Sequence, residues 1–97
     1  MKRLVILPAA LQDLRSISAY IAKDNPARAR SFAAELQTKA EQAAQRPRSF
    51  RQRQEIRPGL RSAVHGAYLL FFREQEEEVW IVRVVHGAQN LSDLSFD

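Results

Sequence analysis

The 97 residues carry 15 Lys or Arg against 11 Asp or Glu, a net charge of +4, with 45% hydrophobic residues and no cysteine. That length suits a single domain, 1–97, with a modest core, and the apolar content excludes a disordered tail. The missing thiols exclude a disulfide framework, and two histidines cannot build a zinc site without carboxylate help, so neither metal nor cofactor is expected.

The chain begins MKRLVILPAAL, which superficially resembles a signal peptide, but Pro8 interrupts the apolar run LVIL after four residues. Residues 3–7 instead predict a buried strand, and Pro8 suits the first turn of a helix, where a missing N–H costs nothing. Leu11, Leu14, Ile17 and Ile21 then recur at helical spacing and predict a first helix over about 8–23. No run approaches the roughly 18 apolar residues of a membrane span, so the expectation is a cytoplasmic protein with no membrane partner.

The stretch KDNPARA joins a stop to a start: Asn25 can cap the next helix and Pro26 fits its first position. Along the second helix Ala29, Phe32, Ala33, Leu36, Ala40 and Ala43 form a stripe of mostly small residues, which permits close approach to a neighbour. Pro47 ends it, because the residue before a proline disfavours helix.

Residues 47–58 read as an arginine-rich loop closed by Pro58-Gly59. Six of the twelve arginines, Arg46, Arg48, Arg51, Arg53, Arg57 and Arg61, lie in this region with only Glu55 opposing them, a local charge that points to an anionic partner. LRSAVH (60–65) and AYLLFFR (67–73) flank Gly66 as a hairpin, EQEEE (74–78) is an acidic turn, and VWIVRVVH (79–86) is apolar enough to be covered on both faces. GAQNLSDLSFD is left as a polar tail. The order strand, helical hairpin, three-stranded meander predicts an α+β domain with the hairpin packed on one sheet face.

The segments ALQDLRSISAYIAKDNPARARSFAAEL, RPRSF, EIRPGLRSAVHGAYLLFFR and VWIVRVVHGAQNLSDL resemble the ParE branch of the RelE/ParE toxins of bacterial type II toxin–antitoxin systems. The likeness runs from about residue 9 to residue 94, and its most specific pieces are YIAKDNP, RPGLRS and VVHGAQNL in that order. It implies the RelE/ParE-like two-layer fold, with an N-terminal strand, a helical hairpin and an antiparallel meander completing the sheet. It also implies a toxin causing growth arrest, a role in plasmid stabilisation, and a ParD-like antitoxin of ribbon-helix-helix type that wraps the toxin in a hetero-oligomer. ParE-like toxins trap DNA gyrase on cleaved DNA, whereas RelE-like toxins cut messenger RNA in the ribosome, and the fold alone cannot choose between them.

Cleavage of the RelE kind needs a group to activate the 2′-OH, cations for the charged transition state and an acid for the leaving oxygen. Arg61, His65, Arg73, Arg83 and His86, with Tyr68, are the only candidates on the strands. The tail after His86 holds no Arg, Lys or Tyr, whereas RelE-like nucleases carry more basic residues there. The expectation is therefore a non-enzymatic gyrase inhibitor with no catalytic residue and no sequence-specific DNA binding of its own. A ribosome-dependent nuclease using Arg61, Arg83 and His86 on adjacent strands, and a non-toxic relative that only binds antitoxin, are the alternatives.

Arg57, Arg61, Arg83, His86, Gln89 and Asn90 are the residues assigned to target contact. Leu14, Ile17, Tyr20, Ile21, Arg51 and Arg53 are assigned to the antitoxin. Each has a structural reading beside the functional one: a turn-flanking role for His65, a strand-end position for His86, solvation for the arginine loop, core packing for the helix stripes. Arg83, interrupting a hydrophobic strand, is either a contact residue or the partner of an acidic group elsewhere.

Overall fold

The computed structural model describes residues 2–96. Strand β1 (Arg3–Ile6) leads into helix α1 (Pro8–Ala22), and α2 (Pro26–Gln45) follows after a short corner. A 3-10 turn at Pro47–Ser49 precedes β2 (Arg51–Gln52), then β3 (Leu60–His65), β4 (Tyr68–Glu74) and β5 (Glu78–His86), and a second 3-10 turn occupies Leu91–Asp93. The sheet runs β1-β5-β4-β3-β2, with β1 parallel to β5 and the other pairs antiparallel. No helix among the described residues is long and apolar enough to cross a membrane.

Local chemistry sets the corners. Asn25 Oδ1 accepts the Arg28 N–H at 3.0 Å and so satisfies an otherwise orphaned helix donor, with Pro26 behind it in the first turn. Gly66 takes the first position of the two-residue β3–β4 loop at φ 57°, the positive dihedral that tight hairpin loops demand. The acidic turn is confined to Gln75, Glu76 and Glu77, because Glu74 and Glu78 are already in strands.

Two cores sandwich the sheet. On the helical side Phe32, Leu36, Ala40, Ala43 and Ala44 of α2 meet Leu70, Phe72, Val79, Ile81 and Val84, with Leu14, Ile17 and Ile21 of α1 packed at the margin. The alanines of α2 let its backbone sit close to the strands, so an otherwise polar helix buries a continuous stripe. On the other side Leu60, Phe71, Val82 and Val85 close around Phe96.

That second core corrects the polar reading of the tail. Phe96 is 1% exposed, its ring 4.9 Å from that of Phe71 in an edge-to-face contact, and Leu91 and Leu94 pack beside it. The physical reason is that β4 and β5 are apolar on both faces while the two helices cover only one. The stretch 47–58 is also more than a loop: Arg51 and Gln52 pair with Ser62 and Arg61, adding a fifth, two-residue edge strand to the expected sheet.

Candidate functional site

Strand β5 carries the first surprise. Phe72 faces Ile81 but Phe71 faces Arg83, so Val82 is an extra residue and the strand bulges. Continued in plain register, Arg83 would oppose Leu70 and point its charge into the helical core; the bulge turns it to the face of Phe71. There its Nε and Nη2 donate to the two Asp13 oxygens at 2.7 and 2.9 Å, and Nη1 donates to the Ser95 carbonyl at 3.1 Å.

Asp13 does a second job. Strand β1 stops pairing at Ile81, and the chain turns into α1 just after Leu7 donates to the Ile81 carbonyl. The Val84 N–H on that vacated edge is taken by Asp13 Oδ2 at 2.9 Å. Asp13 thus replaces the missing strand, and the bidentate contact raises the Arg83 pKa above its ordinary value. Arg83 ties α1, β5 and the tail together. Sequence analysis offered an acidic partner as one of two readings of Arg83 and did not identify Asp13, 70 positions away, as that partner.

Arg61 and Arg83 do not form a pair. They lie on β3 and β5, which β4 separates, so the expectation of adjacent strands is corrected. Arg61 opposes Phe72, on the helical face, and its Nη1 donates to the Phe50 carbonyl at 2.8 Å; Arg83 is on the opposite face. With strands spaced about 4.8 Å apart, their backbones stand roughly 10 Å from one another with the sheet between the side chains.

The histidines lie at the hairpin end. His65 Nε2 is 2.7 Å from Glu35 Oε1, and Arg28 Nη1 donates to Glu35 Oε2 at 2.6 Å. Hydrogen bonds first from Arg28 and then from His65 lower the Glu35 pKa to about 2. His86 is exposed, and its Nδ1 accepts the Ala88 N–H at 3.1 Å. Rings continue from His65 to Phe32, Tyr68 and His86 at centroid spacings of 5.4, 5.3 and 5.3 Å. Asn90 Oδ1 accepts from Ser92, and Gln89 is exposed next to it.

Some residues assigned to different partners meet. Ile17 and Tyr20 of α1 join Tyr68, His86 and Gln89 around one shallow groove of about 240 Å³, with Asp13 at its side. Tyr20 is 69% exposed at its rim. Leu14 and Ile21 belong instead to the margin of the helical core.

Arg51, Arg53 and Arg57 stand at the far edge. Arg53 lies 5.6 Å over the Phe71 ring and donates to Glu55 at 2.7 Å, while Arg57 reaches only the Ile56 carbonyl. Arg51 is exposed on β2. Among the described residues, no three His, Asp or Glu side chains come close enough to hold a metal ion.

The family described as "ParE toxin of type II toxin-antitoxin system, parDE" matches residues 4–91. The chain belongs to the ParE toxin family. This ParE-family chain is also similar to a solved chain of the chromosomal ParDE toxin–antitoxin system of P. aeruginosa, at 21% identity and a TM-score of 0.76 over 89% of this chain and 96% of that one. A chain of the RelBE2 toxin–antitoxin complex of Mycobacterium tuberculosis matches at 23% identity and a TM-score of 0.62, covering 88% of this chain and 96% of that one. No match is found among curated proteins. At these identities the two structures establish a shared fold, α+β with a helical hairpin on a mixed sheet.

Proposed function

We propose that this toxin inhibits DNA gyrase by protein–protein contact, without catalysing a reaction, and that a ParD-like antitoxin encoded as its partner neutralises it in the cytoplasm. Family membership supports the toxin role, and the ParDE system of P. aeruginosa supports an antitoxin of the ParD kind. One observation favours contact over RNA cleavage: the cations a nuclease would gather on one surface are divided between the two faces of the sheet. Arg61 is engaged on the helical face and Arg83 is bound on the other by Asp13.

A transition state of phosphoryl transfer needs preorganised donors converging on one phosphate. Two guanidiniums with a folded sheet between them cannot do that, and Arg83 has its donors committed to Asp13 and Ser95. The groove at Ile17, Tyr20, Tyr68, His86 and Gln89 offers instead exposed aromatic and amide groups, the composition that serves protein contacts.

The test is a gyrase supercoiling and DNA-cleavage assay with toxin alone and after premixing with antitoxin. Cleaved DNA that accumulates with toxin and disappears with antitoxin is the expected result. Unchanged gyrase activity at micromolar excess, with new 5′ ends on translated messenger RNA, would overturn the proposal in favour of a nuclease.

A further inference from the structure

Charge is distributed unevenly over this fold. Residues 46–61 together with Arg73 hold seven arginines against Glu55, and Glu74, Glu76 and Glu77 border the hollow that Arg46 and Arg48 line, so this side stays positive by three with all four acids counted. The 3-10 turn at Pro47–Ser49, the edge strand β2, the turn into β3 and the facing Arg73 bring these arginines to one edge of the sheet.

They divide by their bonding. Arg53 is held by Glu55 and the Phe71 ring, Arg61 by the Phe50 carbonyl, and Arg73 by the Pro58 carbonyl at 2.7 Å. These three form a fixed base. Arg46 and Arg51 make no side-chain hydrogen bond among the described residues, although Arg51 feels the Glu55 charge; Arg57 reaches only the neighbouring Ile56 carbonyl, and Arg48, 82% exposed, donates to Glu74 at 3.2 Å. The guanidiniums of Arg46, Arg51 and Arg57 keep donors open to an external anion, whereas that of Arg48 is paired with Glu74.

We infer that this edge binds the phosphate backbone of duplex DNA, independently of sequence, through Arg46, Arg51 and Arg57. The chemistry of the ligand is argued from what the edge lacks. A protein interface has an apolar centre ringed by polar groups. The large exposed hydrophobic side chains are Leu11, Tyr20 and Val64, and none is in residues 46–61. Phosphates require only cations, and arginine's planar fork can grip two oxygens at once. Phosphate contacts fix position without reading base edges, so the binding carries no sequence preference.

Three phosphate contacts give a slope of about −2.7 for log K against log salt, or roughly a fortyfold loss between 50 and 200 mM. The assay is fluorescence anisotropy of two unrelated labelled duplexes of about 20 base pairs with the isolated toxin, so gyrase plays no part and a failure of the gyrase reading leaves this result interpretable. R46A/R51A/R57A is compared with R15A/K23A/R30A, which removes the same charge from exposed positions on the two helices and the corner between them. Neither triple removes a side-chain bond to another element, and circular dichroism checks their fold.

The expected result is equal affinity for both duplexes, the stated salt slope, at least a thirtyfold loss in the edge triple at 50 mM salt, and a change within about threefold in the helix triple. Equal losses in the two triples would reduce the effect to net charge and overturn the inference. So would absence of DNA binding at 50 mM salt. Tighter binding of polyglutamate than of DNA, with the same arginine dependence, would also overturn it and assign the edge to an acidic protein segment.

Discussion

Replacing Asp13 by alanine removes three bonds at once: Arg83 Nε at 2.7 Å, Arg83 Nη2 at 2.9 Å and the Val84 N–H at 2.9 Å. Breaking a fully buried ion pair from one side costs about 3–5 kcal/mol, because the remaining charge keeps its desolvation penalty. Here the side chains are 14% and 17% exposed, so water relieves part of that and the loss falls to about 2–3 kcal/mol. The unpaired strand-edge amide adds about 1 kcal/mol, for a total near 3 kcal/mol. Against the 5–15 kcal/mol of a typical domain this is a large fraction, and it corresponds to a drop in Tm of roughly 12–24 °C at this chain length.

Urea unfolding followed by circular dichroism measures it. D13N keeps an acceptor for Val84 and loses the charge, so it should cost about half as much. R83M removes the charge that needs pairing, and D13A/R83M should be more stable than the sum of the single losses implies, by about 1.5 kcal/mol. A D13A cost below about 1 kcal/mol, or additive single effects, would refute the view that Asp13 replaces the missing strand and neutralises Arg83.

Phe96→Ala should cost about 3 kcal/mol by opening the second core beside Phe71, seen as a lower urea midpoint; a cost under about 1 kcal/mol would mean the tail is not anchored there. Glu35 has its pKa lowered from 4.5 to about 2, so its contribution is present above about pH 4.5 and is lost as pH falls through 2. The stability difference between wild type and E35Q should therefore shrink across that interval, and a difference that stays constant with pH would contradict the Arg28 and His65 contacts. Tyr20→Ala, at a side chain 69% exposed, should leave Tm almost unchanged while weakening antitoxin binding at least tenfold by calorimetry, about 1.4 kcal/mol. Unchanged affinity would remove the α1 groove from the antitoxin interface.

By itself the sequence determined the elements whose cause is local. Pro8, the Asn25-Pro26 pair, Pro47 and Gly66 mark where helices start, stop and strands turn, since each acts through its own backbone or side chain within a few residues. The helical stripe of α2 and the apolar run of β5 likewise announced a hairpin packed on a sheet. The tertiary structure alone decided what depends on partners far apart in the chain. Register put a bulge at Val82, which sent Arg83 to the face opposite Arg61 and broke up the set of cations that the sequence places close together. Asp13 met Arg83 because β1 is too short to cover all of β5, and Phe96 became core because a sheet apolar on both sides needs a second cover. Neither requirement is written in any window of neighbouring residues, because each is created only when the sheet has formed.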